Sequence, residues 1–137
     1  MRTILIAHRD VAFTEQLTFE LRAGGYRVIS CPGPWPPVER CIRCDTGYCP
    51  LSAGADLMLY DPELTALDGA GWRYNLAVDS ALAHPDVPLL LAWSPRQQAD
   101  ASRVSVIRAE VPTIQVMAEQ PAERLQQIQH LLAVVSA

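Results

Sequence analysis

Short apolar runs alternate with helix-like segments along this 137-residue chain, and this alternation restricts its fold more than any other feature. The run Thr3–Ala7 is too short for a helix and is typical of a strand that is buried on both faces. Runs of the same kind occupy residues 26–30, 56–60, 88–93 and 113–117. The sequence therefore predicts five short strands.

The segments between most of these strands carry helical patterns. After Asp10, which is a natural N-cap, the apolar residues Phe13, Leu17 and Leu21 recur every four positions, and Gly24-Gly25 ends the pattern. Further helices are predicted over residues 72–83, over residues 96–109 and from Pro121. In the last of these we expect Leu125, Ile128, Leu132 and Val135 to face inward. Since right-handed crossovers place helices on both faces of a parallel sheet, we expect a flavodoxin-like three-layer α/β/α sandwich with a five-stranded parallel sheet.

The second crossover of this sandwich is different, because it contains all four cysteines: Cys31, Cys41, Cys44 and Cys49. Segment 31–54 is also rich in proline, so we predict a Pro/Cys-rich loop in place of a second helix. The spacing C-x9-C-x2-C-x4-C allows four thiolates to surround one tetrahedral metal, and four thiolates without histidine suit zinc. A structural zinc site would supply the order that such a loop lacks.

Other chemistry for the cysteines stays open. An iron–sulfur cluster also takes four thiolates, although the spacing matches no ferredoxin run. Cys41 and Cys44 have the C-x2-C spacing of a redox dithiol, but they do not follow the first strand as in thioredoxin-like proteins. The cysteines could also have no role.

In a parallel sheet, ligands gather beyond the carboxyl ends of the strands, where the strand order reverses. His8, Asp10, Asp61 and Ser94 follow predicted strands and are therefore candidate site residues by position.

At these positions the sequence resembles the receiver domain of bacterial two-component response regulators. Residues 55–69, A-D-L-M-L-Y-D-P-E-L-T-A-L-D-G, resemble the third strand of that family, its aspartate and its downstream Asp-Gly, and residues 4–10 resemble its first strand and acidic turn. The resemblance covers most of the chain except the cysteine segment. It implies that Asp61 occupies the position of the phosphorylated aspartate, with His8, Asp10 and Ser94 as neighbours. It also implies a protein partner, with a homodimer as one form.

Three other parts of the receiver site are altered. The acidic pair that binds Mg²⁺ in the family is His8-Arg9 here, and neither side chain can replace a carboxylate around that ion. The hydroxyl position of the family aligns with Trp93, one residue before Ser94, and its lysine aligns with Met117. The sequence therefore predicts a degenerate, pseudo-receiver site in which the charge of Asp61 is balanced by His8 or Arg9.

Composition and the lack of other motifs limit the function. The net charge of −4 disfavours nucleic acid, and the sequence has neither an apolar run long enough for a membrane span nor a signal peptide, so we expect a cytoplasmic protein that is not bound to a membrane. No phosphate loop or nucleophile elbow is present, and we predict no catalytic residue.

These observations predict one domain over residues 1–137, with residues 31–54 as its metal knuckle. The predicted function is a non-catalytic regulatory or protein-interaction module with a structural zinc site. The alternatives are a thiol or iron–sulfur sensor that uses the four cysteines, and a phosphoacceptor that uses Asp61.

Overall fold

The computed structural model describes residues 1–31, 33–34 and 49–136 of the chain. In chain order these residues form β1 (Thr3–Ala7), α1 (Val11–Ala23), β2 (Arg27–Cys31), α2 (Pro50–Ala53), β3 (Leu57–Tyr60), β4 (Thr65–Leu67), β5 (Arg73–Asn75), α3 (Leu76–Ala83), β6 (Leu89–Leu91), α4 (Ala101–Glu110), β7 (Gln115–Val116) and α5 (Pro121–Ser136).

A five-stranded parallel sheet with the order β2-β1-β3-β6-β7 forms the centre of the molecule. Ile4 of β1 lies between Val28 of β2 and Leu57 of β3, and Met58 of β3 pairs with Leu89 of β6. All four strand pairs of this sheet are parallel. The sheet confirms the predicted flavodoxin-like architecture, and each of its strands lies within about two residues of the predicted position.

Successive strand residues point to opposite sides of the sheet. Because the side chains on both sides are apolar, helices cover both faces. Ile4 and Ile6 of β1 face α1 and α5, whereas Leu5 faces α3 and α4. The helix residues buried on the first face are Phe13, Leu17, Leu21, Ile128 and Leu132. Those buried on the second face are Leu76, Ala77, Val78, Ala81 and Ile107. The inward face predicted for α1 is confirmed. In the last helix Ile128 and Leu132 are buried as predicted and Leu125 is half-buried, whereas the side chain of Val135 lies outside the described part of the structure.

The ends of α1 also follow the sequence. The Asp10 carboxylate accepts a hydrogen bond from the Phe13 backbone N–H at 3.1 Å, as expected of an N-cap. At the other end Gly25 has a φ of 93°, a left-handed conformation that glycine adopts without strain. Within the described part of the chain, no helix is long and apolar enough to cross a bilayer.

The helix predicted over residues 72–83 begins later than expected, because its first residues belong to a β-hairpin. β4 and β5 pair antiparallel, with Ala66 opposite Tyr74. The Asp68 carboxylate holds the connecting loop by accepting the backbone N–H groups of Ala70 at 2.8 Å and Trp72 at 2.9 Å. α3 starts only after Asn75, whose side chain caps the helix by accepting the Val78 N–H at 3.1 Å.

Segment 31–54 is predicted to be a loop, but its last residues include a short helix. Pro50–Ala53 form the short helix α2, which Cys49 precedes as its N-cap. Ser52 of this helix is buried, and its hydroxyl lies 3.1 Å from Nε2 of His84 at the end of α3. Helix α2 is therefore tied to the core, whereas the stretch 35–48 lies outside the described residues.

We predict that Gly33→Ala destabilises the protein more than Gly71→Ala. Both glycines have a φ near +90°, so alanine costs about 1 to 2 kcal/mol at each position. At Gly33, however, the new Cβ would lie 2.5 Å from a methyl group of the buried Leu64, whereas Gly71 has nothing within 4 Å. This overlap should lower the free energy of unfolding of Gly33→Ala by about 1 to 3 kcal/mol more, as measured by urea unfolding. Equal losses of unfolding free energy in the two variants would show that a side chain at position 33 does not overlap with Leu64.

Candidate functional site

The carboxyl ends of β1, β3 and β6 bring together three polar residues from distant parts of the chain. His8, Asp61 and Ser94 follow these neighbouring strands, and each is at most 3% exposed. Backbone hydrogen bonds continue the sheet beyond the strands, from Asp61 N–H to Ala7 O and from Ala92 N–H to Tyr60 O, both at 2.8 Å. The structure thus assembles the predicted site residues at one edge of the sheet.

The His8 imidazole is held by two backbone groups. Its Nε2 donates to the Ala92 carbonyl at 2.9 Å, and its Nδ1 accepts the Asp10 N–H at 3.0 Å. Since a carbonyl can only accept and an amide N–H can only donate, this arrangement requires the neutral ring with its proton on Nε2. Nδ1 lies 3.8 Å from the nearer Asp61 oxygen, too far for a hydrogen bond. His8 therefore links β1, β6 and the start of α1, and neither ring nitrogen is open to a metal.

Donors from two neighbouring loops and from the following turn surround the Asp61 carboxylate. Oδ2 accepts from Nε of Arg9 at 3.1 Å. Oδ1 accepts from the Gln97 side-chain amide at 2.7 Å and from the Glu63 backbone N–H at 2.9 Å. Asp61 itself is 1% exposed. Of the two residues predicted to balance its charge, Arg9 makes the direct contact.

The pKa of Asp61 reflects a competition between burial and these donors. Burial alone raises the pKa of this carboxyl, because an apolar environment disfavours the charged form. The hydrogen bonds from the Glu63 backbone and from the Gln97 and Arg9 side chains favour the charged form and outweigh burial. The pKa of Asp61 consequently lies below its ordinary value of 3.8. Asp61 is a carboxylate at neutral pH and accepts hydrogen bonds only.

Gln97 is a site residue that the sequence analysis missed. Its amide nitrogen lies 2.7 Å from Asp61 and 3.3 Å from the Glu63 carboxylate, and its amide oxygen accepts the Ser94 N–H at 2.8 Å. Both ends of the side chain are therefore engaged, which fixes the loop between β6 and α4. The sequence signal for Gln97 is its place in this loop, three residues after Ser94, whereas the family resemblance concerns only the hydroxyl position.

Asp10 supports the start of α1, whereas Ser94 supports the loop after β6. The pKa of Asp10 lies below its ordinary value, chiefly because the Phe13 N–H bonds to its carboxylate. The Ser94 hydroxyl oxygen additionally accepts the Arg96 N–H at 3.3 Å. Met117, at the position of the family's lysine, is buried in the apolar cluster on the α1 and α5 side of the sheet. No ammonium group can reach Asp61 from there.

This arrangement leaves little room for a cation beside Asp61. Mg²⁺ needs several oxygen ligands, but both Asp61 oxygens accept hydrogen bonds and the Arg9 guanidinium already provides the positive charge. Arg9 also lies 3.6 Å from the Glu63 carboxylate. Among the described residues, no group of three or more His, Cys, Asp and Glu side chains could hold a metal ion.

The predicted cysteine site falls only partly within the structure. Cys41 and Cys44 lie outside the described residues, so the site of four thiolates stays a prediction. The Cys31 sulfur accepts the Gly33 N–H at 3.4 Å, and the Cys49 sulfur accepts the Ser52 N–H at 3.5 Å. β2 and α2, which carry or adjoin these two cysteines, lie beside each other.

No protein-family model matches the sequence, and no curated protein matches it. The structure is similar to that of a CheY-like response regulator receiver domain protein from Methanospirillum hungatei JF-1, with a TM-score of 0.68, 17% identity, and coverage of 99% of this chain and 97% of that chain. It is also similar to a response regulator receiver domain protein from Clostridium thermocellum, with a TM-score of 0.66, 12% identity, and coverage of 99% and 98%. A putative pilus assembly protein from Burkholderia thailandensis E264 matches with a TM-score of 0.62 and 23% identity over 97% of this chain and 99% of that chain.

We predict that Asp61→Asn lowers the free energy of unfolding at pH 7 by about 1 to 3 kcal/mol, because the asparagine amide lacks the charge and turns a donor toward either Arg9 or Gln97. The pKa of Asp61 is lower in the folded state, so its charge stabilises the fold above the unfolded pKa, and this contribution is lost as the pH falls through the folded pKa. The difference between wild type and variant should therefore be constant down to about pH 5 and shrink below about pH 4.

Urea unfolding at several pH values measures this difference. Asp86→Asn, at an exposed position, is the matched control, and its free energy of unfolding at pH 7 should equal that of the wild type. A gap between wild type and Asp61→Asn that does not change with pH would contradict the assignment of the charge to Asp61.

Proposed function

Because this chain has the fold of the response-regulator receiver domain, we propose that it is a regulatory module that contacts a partner protein without being phosphorylated. The observation that carries this proposal is the Asp61 carboxylate, which is buried and bonded to Arg9, Gln97 and Glu63. A second copy of the chain is one form that the partner could take.

The contacts of Asp61 oppose each requirement of phosphoryl transfer to a carboxylate. An attacking oxygen must reach the phosphorus atom, but Oδ1 has two donors within 2.9 Å and Oδ2 has Arg9 at 3.1 Å. A metal ion normally neutralises charge on the transferred group and needs oxygen ligands of its own. In this chain the cation at the carboxylate is the Arg9 side chain, which offers N–H donors but no coordination position in which a phosphoryl oxygen could share a metal ion with Asp61.

The same contacts give the end of the sheet a constant conformation. Arg9 follows β1, Glu63 follows β3, and Gln97 lies in the loop that leads to α4. All three bond to one carboxylate whose charge persists at neutral pH. Regulation by this module would therefore depend on its presence and on contact, and it would not depend on a phosphate group.

We predict that the wild-type protein acquires no covalent phosphate from acetyl phosphate with Mg²⁺. Intact-protein mass spectrometry measures the modification, and an authentic receiver domain treated in parallel shows that the phosphodonor is active. Asp61→Asn is the variant that cannot be modified at this position. Phosphate on the wild type that is absent from Asp61→Asn would make Asp61 a phosphoacceptor and overturn the proposal.

Arg9→Gln tests the physical reason. The substitution removes the guanidinium charge and keeps an amide donor, so it isolates the effect of charge on access to the carboxylate. If Arg9 blocks the cation position, this variant should bind Mg²⁺ more tightly than the wild type in isothermal titration calorimetry.

We also propose that the four cysteines, Cys31, Cys41, Cys44 and Cys49, hold a structural zinc ion. The spacing of the cysteines supports this, and so do the N–H bonds to the sulfur atoms of Cys31 and Cys49, because backbone donors of this kind orient and stabilise thiolates. The contact between Ser52 and His84 would hold Cys49 in place relative to the core. A redox or metal sensor built on an iron–sulfur cluster or on free thiols is the alternative.

We predict one zinc per chain, and we predict that Cys44→Ser lowers both metal content and melting temperature, because the metal-binding energy contributes to folding. Plasma mass spectrometry and thermal unfolding measure the two effects. A chelator should abolish the difference in melting between wild type and Cys44→Ser. Iron with a visible chromophore would favour the cluster, whereas no metal with reactive thiols would leave the thiol sensor.

A further inference from the structure

A groove between α3 and α4, on the opposite side of the sheet from α1 and α5, has no role in the site at Asp61. Two adjoining hollows of about 350 and 580 Å³ share Asn75, Val78 and Glu110. Together they run from the β4–β5 hairpin along both helices, and we call them the α3–α4 groove.

Each helix presents one continuous stripe to the groove. Asn75, the cap of α3, is followed at helical spacing by Val78 and Leu82. From α4 the groove is lined by four residues at positions i, i+3, i+4 and i+7: Arg103, Val106, Ile107 and Glu110. Residues three and four apart lie on the same face of a helix, so these positions form two facing ridges. A third helix can pack between two such ridges.

The apolar residues of the groove are not all covered. Val78 and Ile107 form a buried floor at 8% and 3% exposure, but Leu82 and Val106 are 61% and 67% exposed. Ile107 is the single buried residue of α4, so this helix uses little of its surface to pack on the sheet. Exposed apolar side chains beside a concave floor are typical of a surface that binds another protein.

The charges around the groove are mainly negative. Four carboxylates line it, those of Asp68, Asp79, Asp100 and Glu110. Two guanidinium groups line it as well, Arg73 and Arg103, and Arg73 is directed to the hairpin by its hydrogen bond to Thr65 at 3.0 Å. A partner with positive charges on either side of an apolar stripe would complement this pattern.

We propose that the α3–α4 groove binds an amphipathic helix of a partner protein, with aliphatic residues at positions i, i+3, i+4 and i+7 and with lysine or arginine on both flanks. The inference rests on the proposed function as a protein-interaction module, and it gives that module a surface and a partner chemistry. The aliphatic stripe would cover Leu82 and Val106, and the basic flanks would lie near Asp79 and Glu110.

Two designed peptides of about 18 residues test the proposal, since this length spans five helical turns. Both carry leucine at the four stripe positions, and they differ only in having lysine or glutamate on the flanks. Fluorescence anisotropy of the labelled peptides measures binding to the full chain. We expect the lysine peptide to bind at least about tenfold more tightly than the glutamate peptide, with an affinity that falls as salt increases.

Val106→Glu in the groove should lower the affinity for the lysine peptide by about tenfold or more, because it places a charge in the apolar contact. Val134→Glu is the matched control, since Val134 is also a helical valine and is 62% exposed, but on α5. The control should bind like the wild type, and unchanged melting of both variants would show that they are folded. Glu110→Gln should reduce both the affinity and its salt dependence.

The outcomes separate this inference from the proposed function. No binding of the lysine peptide, equal binding of both peptides, or equal binding to Val106→Glu would overturn the groove as the site. If only Val134→Glu lost binding, the peptide would bind near α5 and not in the groove, and the proposed function would stand. Binding that requires acetyl phosphate with Mg²⁺ would overturn the proposed function. A homodimer of the wild type that Val106→Glu dissociates would make the occupant a second copy, and the basic partner helix would be wrong.

Discussion

The alignment of β1, β3 and β6 is the constraint on which the site depends. Because these strands are parallel neighbours, the residues that follow them lie at one edge of the sheet. Asp61 is at the centre of this edge and accepts hydrogen bonds from Arg9, Glu63 and Gln97. A buried carboxylate is stable only when such donors replace its lost hydration, so the strand alignment and the three donors support each other.

Arg9 gives this carboxylate a different kind of counterion from a bound metal. A divalent cation dissociates, exchanges its ligands and can share them with a phosphoryl group. A guanidinium on the chain is always present, remains charged at any physiological pH and offers donors only. Its contact with Asp61 therefore fixes the loop after β1, and it provides no coordination position for another group.

The two faces of the sheet are used differently. α1 and α5 pack on one face and are also joined by the buried Arg124, which donates to both carboxylate oxygens of Glu20 at 2.7 and 2.8 Å. α4, on the other face, buries only Ile107. Gln97 connects this weakly packed helix to the site through the loop that precedes it. The polar network thus positions α4 where apolar packing contributes little.

Elements whose cause is local could be predicted from the sequence alone. The apolar runs of β1 and β3, the Asp10 cap and the spacing of Phe13, Leu17 and Leu21 act over a few residues, and each was predictable. The position of Asp61 at a strand end was predictable for the same reason. The β4–β5 hairpin was missed because its residues also fit a helical pattern, and only their pairing across the Asp68 loop decided between the two.

Which side chains contact one another depends on the folded arrangement of the whole chain. Arg9 and Gln97 are 52 and 36 residues from Asp61 in the sequence, and Arg124 is 104 residues from Glu20. Nothing in the local pattern distinguishes these side chains from exposed ones, since glutamine and arginine are ordinarily surface residues. Their partners depend on strand order and on how the loops beyond the sheet are directed. The sequence therefore located the site, and the folded arrangement determined what surrounds its carboxylate.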